Sequence, residues 1–217
     1  MATDLTSRYD GIVNTMHEYT YHVLGCGAIG SSAALQLVRM GATDLCLYDY
    51  DKVSIENVGV SQYDMRHIGI DKVKALSYIL DDINPDINIQ QFNEKFKELC
   101  AGERNVAILG FDSMEARLHA VEALCTGGTR PLFIIDGRMG AEHYQQYVFK
   151  APTLKKYKAT WYSDTEGDVE PCNSKATSYC SNMSGSFIVN AVRKLITNQP
   201  YEKKIIFNFP TMMLQTD

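Results

Sequence analysis

From residue 19 to residue 135, short apolar runs alternate with segments of helical periodicity. Five apolar runs have the length of buried strands: 19–24, 44–48, 87–92, 106–109 and 131–135. Three segments between them carry apolar residues at helical spacing: 29–40, 69–83 and 112–125. Strands that alternate with helices of this length indicate βαβ units. Because such crossovers are right-handed, the pattern predicts a doubly wound, Rossmann-like α/β fold with a mostly parallel sheet.

The pattern changes after Asp136. Polar and apolar residues alternate over 143–149, and 205–209 is a closing apolar run, so both segments predict antiparallel strands added to the sheet. Residues 184–196 predict a buried helix. The polar stretch 151–182 between them predicts a long loop with little regular structure, of the kind that is usually functional.

Composition and charge narrow the class of protein. The chain has 217 residues, of which 45% are hydrophobic and 22% are charged, as in an ordinary globular domain. The formal net charge is −5, so the chain lacks the excess of positive charge that binds nucleic acid, and we expect no nucleic-acid partner. No segment approaches the roughly 18 apolar residues of a transmembrane helix, and no signal peptide is seen, so we expect no membrane association.

The cysteines point to a reducing compartment. Six cysteines are scattered along the chain, at 26, 46, 100, 125, 172 and 180. They form no C-x-x-C pair, which argues against a compact zinc site, and Cys46 lies in an apolar strand where we expect a core residue. The scatter favours free thiols and a cytoplasmic protein, and we expect no bound zinc.

A glycine-rich turn is the first candidate for chemistry. The motif G-x-G-x-x-G runs from Gly25 to Gly30, after a predicted strand and at the start of a predicted helix. Gly25 permits a tight turn, Gly27 lets a phosphate approach the backbone, and Gly30 lets the helix pack close to the sheet. The free N–H groups of the helix start, including those of Ala28 and Ile29, would then face the phosphates.

Asp49 adds a candidate ribose contact to the candidate phosphate site, so that together they could bind a nucleotide. It ends the next predicted strand, 19 residues after Gly30, where a carboxylate accepts hydrogen bonds from ribose hydroxyls. On these features alone an NAD(P)-dependent oxidoreductase fits at least as well as an ATP-using enzyme. A strand-helix turn that binds nothing is a third interpretation.

The residues that follow change this balance. The string DYDKVSIENV runs from Asp49 to Val58, and the segment GIDK follows at 69–72. The order D-x-D-x-V-x-x-x-N and then G-x-x-K resembles the ThiF/MoeB superfamily, which includes the activating enzymes for ubiquitin and for sulfur-carrier proteins. The segment FDSMEAR at 111–117 resembles the superfamily's D-N-x-x-x-R. The resemblance continues weakly at Glu170-Pro171-Cys172 and in the last helix, so it covers nearly the whole chain.

The resemblance implies an activity. Members of the superfamily catalyse the attack of a carboxylate on the α-phosphate of ATP, with release of pyrophosphate and with Mg²⁺ bound. The expected acceptor is the C-terminus of a small ubiquitin-like or sulfur-carrier protein, a peptide, or a small carboxylate. The chain would be a minimal, bacterial or phage-type member and a homodimer. It would form one adenylation domain over 1–217, with a nucleotide-binding half at 1–140 and an acceptor-side subregion at 141–217.

By the same resemblance, individual residues receive roles. Asp49 would hold the ribose, Asn57 and Lys72 would contact phosphates, and Asp112 would coordinate Mg²⁺, with Asp51 a weaker candidate beside them. Each role has an ordinary alternative. Lys72 could be a solvated helix residue, Asp112 could cap the following helix, and Asn57 could close a turn.

Two expected phosphate-binding arginines are missing. The superfamily's N-x-x-R-Q arginine is replaced by Val60, and the second arginine of R-Y-x-R-Q is replaced by Gly11. Arg66, Arg138 and Arg8 are the candidates to compensate, with Arg66 preferred. If none of them reaches ATP, the chain would bind nucleotide and catalyse poorly. The missing arginines also favour the alternative of a nucleotide-binding, non-catalytic module.

A covalent step would need a cysteine. Cys172 is the best candidate nucleophile because it lies in the polar stretch before the last helix. Cys180, near the start of that helix, is the second candidate, since a helix N-terminus lowers a thiol pKa. Lys175 stands where zinc-binding members carry the second cysteine of C-x-x-C, so Cys172 could also be the remnant of a lost zinc site.

Overall fold

A computed structural model describes residues 5–100, 102, 104–166 and 176–217. Within these residues the strands form one eight-stranded sheet. The strands are β1 Thr20–Leu24, β2 Asp44–Tyr48, β3 Asn88–Phe92, β4 Asn105–Leu109, β5 Phe133–Gly140, β6 His143–Lys150, β7 Lys204–Asn208 and β8 Met213–Thr216.

Six α-helices connect or flank these strands in the part of the chain that is described. They are α1 Ala28–Arg39, α2 Ile55–Val58, α3 Lys72–Asp81, α4 Met114–Thr126, α5 Leu154–Lys158 and α6 Ser178–Ile196. Two single 3₁₀ turns lie at Met16–Glu18 and Met65–His67. None of the described helices is both long enough and apolar enough to cross a lipid bilayer.

The strand order confirms the predicted fold class. The strands lie in the order β3-β2-β1-β4-β5-β6-β7-β8. The pairs from β3 to β5 are parallel, and the pairs from β5 to β8 are antiparallel. The fold is therefore a doubly wound, mostly parallel sheet with antiparallel strands added in the C-terminal part.

Helices cover both faces of the sheet. Because of this, the central strands β1 and β4 are buried along their whole length, as expected for parallel strands between two helical layers. One apolar core contains Leu37 of α1, Leu76 of α3 and Ile188 of α6. The other contains Leu124 of α4 and Tyr157 of α5.

The prediction of an irregular loop over 151–182 is wrong at both ends. Helix α5 lies near its start, and α6 begins at Ser178, six residues before the predicted position. The missed residues 178–183 of α6 are mostly polar, and Tyr179 is exposed, so they lack apolar periodicity. Small residues on both sides of the predicted start bring α6 against α1: the Ser181 hydroxyl donates a bond of 2.8 Å to the Ala28 carbonyl, and a Cβ on Gly185 would lie 2.3 Å from the Ser32 hydroxyl.

The C-terminal end of the sheet also extends beyond the prediction. Strand β8 was not predicted, because all four of its residues are exposed and no buried face imposes an alternating pattern. Strand β5 runs on to Gly140 rather than ending at residue 135, since it pairs with β6 along its whole length. The connection 50–68 contains α2 and a 3₁₀ turn.

Candidate nucleotide-binding site

The candidate site lies where the strand order reverses. The chain builds outward from β1 to β3 and then returns to β4 on the other side of β1. Ligands of doubly wound folds bind at the carboxyl ends of the strands at such a switch point. Here Gly25 follows β1 with a φ of +91°, and a Cβ on it would lie 2.9 Å from the carbonyl carbon of Gly110 after β4. Only glycine permits both the backbone conformation and the close approach.

Two glycines of the loop differ in the space around them: there is no room for a side chain at Gly30, and there is room for one at Gly27. A Cβ on Gly30 would lie 1.8 Å from the Gly25 carbonyl oxygen, so this glycine lets α1 pack against the loop. A Cβ on Gly27 would meet no atom within 4 Å. Gly27 is also the N-cap of α1, and among the described residues no side-chain hydrogen bond caps this helix end. The amide end of α1 is therefore accessible to an anion.

Asp49 holds the loop from the end of β2. Its Oδ2 accepts a hydrogen bond of 2.8 Å from the backbone N–H of Cys26, inside the loop. Its Oδ1 accepts a bond of 2.9 Å from the N–H of Asp51. Burial raises the pKa of Asp49, and the attraction of Lys72 together with the two N–H donors offsets this effect only in part.

Lys72 is the cation of this site. Its ammonium lies 2.9 Å from Asp51 Oδ2 and 4.0 Å from Asp49 Oδ2, and only 11% of its side chain is exposed. Burial acts to lower the pKa of Lys72, but the attraction of the two carboxylates outweighs burial and leaves the pKa raised. The alternative of a solvated helix lysine is therefore wrong.

Tyr63 is a positioning residue that the sequence analysis missed. Its buried hydroxyl donates a bond of 2.6 Å to the Cys26 carbonyl and lies 3.3 Å from the Lys72 carbonyl. It thereby ties the glycine loop to the start of α3. Nothing in the local sequence marks this tyrosine, since it lies in a connection without apolar periodicity.

Asn57 closes a turn, as one of the two interpretations predicted. Its Oδ1 accepts a 2.9 Å bond from the N–H of Ser54, in a capping box at the start of α2. Its Nδ2 makes no hydrogen bond to any residue in the described ranges. A contact between Asn57 and phosphate stays a prediction.

Asp112 lies in the short turn between β4 and α4, and it is exposed. The alternative that it caps α4 is wrong, because the N-cap is Ser113, whose side chain accepts a bond of 3.2 Å from Ala116 N–H. Asp164 supplies a second cap and accepts a bond of 2.8 Å from Met114 N–H. The carboxylate of Asp112 thus has no capping role, and its role as a Mg²⁺ ligand stays a prediction.

Arg117 fixes the turn that carries Asp112. This arginine is the last residue of FDSMEAR, and its side chain is 4% exposed. Its guanidinium donates to the carbonyls of Leu109 and Phe111 and to the carboxylate of Asp136. The motif was recognised in the sequence, but the positioning role of its arginine was not.

The three candidate arginines differ in their surroundings. Arg66 is exposed and pairs with Asp64 at 2.6 Å, and Arg8 is also exposed. Arg138 is buried: its Nε donates to Asp136 at 2.9 Å, and another nitrogen donates to the Thr160 carbonyl at 2.7 Å. No hydrogen bond or ion pair joins any of the three to a described residue of the glycine loop. Arg138 would have to leave its partners to reach a phosphate, so the predicted role of each remains a prediction.

Of the two candidate nucleophilic cysteines, the structure describes only Cys180. Cys172 lies outside the described residues, as do Glu170, Pro171 and Lys175. Cys180 lies in the first turn of α6 and is fully buried. A buried thiol is a poor nucleophile because a substrate cannot reach it.

The family comparison covers nearly the whole chain. The model described as "ThiF family" matches residues 5–216. Among curated proteins, ubiquitin-like modifier-activating enzyme 5 of Bombyx mori is 32% identical over 133 residues, which is 53% of this chain and 34% of that protein. The enzyme of the same name from Caenorhabditis elegans is 41% identical over 86 residues, or 38% of this chain and 20% of that protein. The chain therefore matches about a third or less of the length of these relatives.

Solved structures show the same fold at low sequence identity. The crystal structure of E. coli MccB with ATP superposes with a TM-score of 0.71 at 13% identity, covering 99% of this chain and 71% of MccB. The crystal structure of PaaA gives a TM-score of 0.71 at 17% identity, covering 93% of this chain and 64% of PaaA.

Proposed function

The chain belongs to the ThiF family, and on that premise we propose that it is an ATP-dependent adenylyltransferase that activates a carboxylate. The acceptor is the C-terminus of a small ubiquitin-like or sulfur-carrier protein, or that of a peptide. The curated relatives are activating enzymes by name, and E. coli MccB has been crystallised both with ATP and with MccA. These likenesses support a nucleotide together with a protein or peptide acceptor.

One observation carries the proposal: the buried ammonium of Lys72 is joined through Asp49 to the amide-rich loop. Asp49 Oδ2 binds the Cys26 N–H and lies 4.0 Å from Lys72 Nζ. Gly27 of the same loop leaves open space where a Cβ would stand. A phosphate at the N-terminus of α1 would therefore meet free amides and a cation together.

The residues present fit Mg²⁺-ATP. The first-turn amides of α1 would hold phosphate oxygens, and Lys72 would neutralise part of their charge. Each oxygen of Asp49 has one N–H donor and a second lone pair, so the carboxylate can also accept from ribose hydroxyls. Asp112 offers a hard oxygen ligand for the metal ion.

In the reaction, a carboxylate oxygen of the acceptor forms a bond to the α-phosphorus of ATP. The bond from that phosphorus to the bridging oxygen breaks, and pyrophosphate leaves with the electron pair. Charge gathers on phosphoryl oxygens in the transition state, so catalysis depends on position and on electrostatic stabilisation. Lys72 suits this task because its neighbours hold it in place and favour its charged form. Arg117 fixes the turn of Asp112 through two carbonyls.

Further parts of the proposal concern assembly and location. We propose a homodimer in the cytoplasm, with 1–140 as the nucleotide-binding half and 141–217 on the acceptor side. In this arrangement exposed Arg8 or Arg66, in the same subunit or in a partner subunit, would replace the missing phosphate-binding arginines. Light scattering of the purified chain tests the dimer.

The second candidate is a non-catalytic nucleotide-binding module. The observation that favours it is that two candidate arginines already have partners: Arg66 pairs with Asp64, and Arg138 binds Asp136 and the Thr160 carbonyl. This candidate predicts binding of ATP and acceptor without pyrophosphate release. An NAD(P)-dependent oxidoreductase is not favoured, since hydride transfer needs no lysine beside the loop.

ATP–pyrophosphate exchange, measured over a panel of acceptor peptides and ubiquitin-like proteins, tests the proposal. Lys72→Ala should slow exchange by roughly 100-fold to 1000-fold, as the loss of one transition-state donor does. The matched control is Lys74→Ala, which removes an exposed lysine of the same helix and should leave the rate unchanged. Equal rates in the wild type and Lys72→Ala would contradict the proposal. ATP binding by calorimetry without single-turnover chemistry would favour the module instead.

A further inference from the structure

A second group of reactive side chains lies under the sheet face covered by α4. His22 of β1, Cys46 of β2 and Cys100 of the β3–β4 connection each offer one ligand atom, and these atoms lie within 4.8 Å of one another. His22 and Cys46 are directly opposite in the β1–β2 register. Both are fully buried, and Cys100 is half-buried. The proposed adenylation chemistry uses none of the three.

The histidine ring is oriented by its neighbours. Asn105 Nδ2 donates to the Gly102 carbonyl at 2.7 Å, so the amide oxygen of Asn105 is the atom that lies 2.8 Å from His22 Nε2. An amide oxygen only accepts, and Nε2 must therefore carry the proton. The lone pair is on Nδ1, which lies 3.9 Å from the Cys100 Sγ. Metal-binding histidines are typically fixed in this way, by a hydrogen bond from the other ring nitrogen.

The spacing between His22 Nδ1 and Cys100 Sγ is close to that of a filled site, and the remaining ligand atoms lie within 4.8 Å. A zinc ion holds sulfur at about 2.3 Å and nitrogen at about 2.0 Å, so ligand atoms of a tetrahedron lie roughly 3.5–3.8 Å apart. The nitrogen–sulfur distance of 3.9 Å needs only a small contraction to reach this range. Because Cys100 is in a connection rather than a strand, side-chain rotation there can supply it.

A cavity and a candidate fourth ligand lie beside the cluster. The Tyr48 hydroxyl lies 3.2 Å from His22 Nδ1. Tyr48 and Cys100 line a cavity of about 170 Å³ whose outer residues include the exposed carboxylates Glu94 and Glu98. The fourth position of a tetrahedral ion would be filled by the Tyr48 oxygen or by water from this cavity.

We propose that His22 Nδ1, Cys46 Sγ and Cys100 Sγ form a binding site for one thiophilic metal ion, of the Zn²⁺ or Cu⁺ class. Two thiolates and a neutral imidazole are the ligand set that such ions prefer. Each thiol releases its proton to solvent on binding, so two thiolates balance the charge of Zn²⁺ in a buried setting. The bound ion would tie the β3–β4 connection to the centre of the sheet. The site is independent of the proposed function, and it opposes the sequence-based expectation of no zinc.

The test titrates the reduced full-length chain with Co²⁺ as a spectroscopic substitute for Zn²⁺. We expect a cobalt–thiolate charge-transfer band that saturates at one ion per chain, is lost on addition of Zn²⁺, and does not respond to Mg²⁺. A parallel titration with Cu⁺ distinguishes the two ion classes. Cys100→Ser should abolish the band. The matched control is Cys125→Ser, which removes a half-buried thiol of α4 outside the cluster and should retain the band in full.

A second measurement guards against misfolding of the variants. In the wild type, Zn²⁺ should protect the half-buried Cys100 from alkylation and leave the half-buried Cys125 unprotected, as read by peptide mass spectrometry. Asn105→Ala should weaken metal affinity by about 10-fold to 100-fold, because it frees the histidine ring. A full band in Cys100→Ser, or no protection of Cys100 by Zn²⁺, would overturn the proposal. So would a Cys46–Cys100 disulfide in the isolated protein with no metal uptake after reduction.

Discussion

Two aspartates near the carboxyl ends of parallel strands have opposite surroundings. Asp49 follows β2 and Asp136 lies in β5, and their side chains are 9% and 0% exposed. Asp136 binds the guanidinium groups of Arg117 and Arg138, and it also accepts a 3.1 Å bond from the Tyr157 hydroxyl. All of its partners are interior side chains.

Asp49 has weaker partners, since only one of them is charged and that cation is more distant. Two are backbone N–H groups, and the third is Lys72 at 4.0 Å. Burial therefore raises the pKa of Asp49, since its partners do not fully compensate the loss of water. The difference separates a charge network that is satisfied within the protein from a carboxylate that can still accept a further partner. A network with all its donors satisfied rigidifies the protein, whereas a partly satisfied charge beside an open loop is suited to a ligand.

The largest expected effect comes from removal of the satisfied aspartate. Asp136→Ala leaves two buried guanidinium groups without their carboxylate, so it should lower the free energy of unfolding by about 3–5 kcal/mol. Urea denaturation measures this loss. The comparison variant is Asp51→Ala, which removes a half-exposed partner of Lys72 and should change stability by under about 1 kcal/mol. Equal losses of unfolding free energy in the two variants would contradict the difference between the surroundings of Asp136 and those of Lys72.

Alanine substitutions at two glycines of the loop should distinguish an effect on stability from an effect on ATP binding. Gly30→Ala places a Cβ against the Gly25 carbonyl, so we expect destabilisation of about 1–3 kcal/mol or more. Gly27→Ala places its Cβ in open space, so thermal stability should hardly change. A bound phosphate would meet the new methyl group of Gly27→Ala, at a similar cost of about 1–3 kcal/mol. ATP affinity, measured by calorimetry, should therefore fall between about 5-fold and about 150-fold. Unchanged affinity would contradict phosphate binding at Gly27.

A smaller effect is expected at the start of α4, next to Asp112. Asp164→Ala removes the carboxylate that accepts from Met114 N–H, so the free energy of unfolding should fall by about 0.5–1 kcal/mol. Asp164→Asn keeps an oxygen acceptor and removes the charge, so it should retain part of this stability. Identical melting temperatures in all three proteins would show that Asp164 contributes nothing to the helix end.

The smallest effect is a dependence on pH. The pKa of Asp49 is raised in the folded protein, so folding favours its protonated form. Its contribution to stability is fully present below the unfolded-state pKa and is lost as pH rises through the raised folded-state pKa. Asp49→Asn removes this component, so the melting temperature of the variant relative to the wild type should rise across that interval. A constant difference between the two proteins at every pH would rule out the shift.

Sequence reasoning worked best where backbone chemistry is local. The glycine loop and the helices α1, α3 and α4 were predicted close to their observed bounds, because apolar periodicity and glycine spacing act over a few residues. It worked less well for the first turns of α6 and for β8. In these segments small residues or exposed residues replace the apolar pattern, and only packing against α1 or pairing with β7 defines the structure.

The amino-acid sequence by itself determined the doubly wound sheet, the glycine-rich loop and the order of the candidate residues Asp49, Asn57, Lys72 and Asp112. Only the tertiary structure decided which charges are satisfied and which thiols meet. Arg138 was expected at the crevice and is enclosed by Asp136, while His22, Cys46 and Cys100 come together from three separate segments. Spacing rules detect ligands that are neighbours along the chain. Neighbours across a sheet depend on strand order and register, which long-range burial of apolar surface selects.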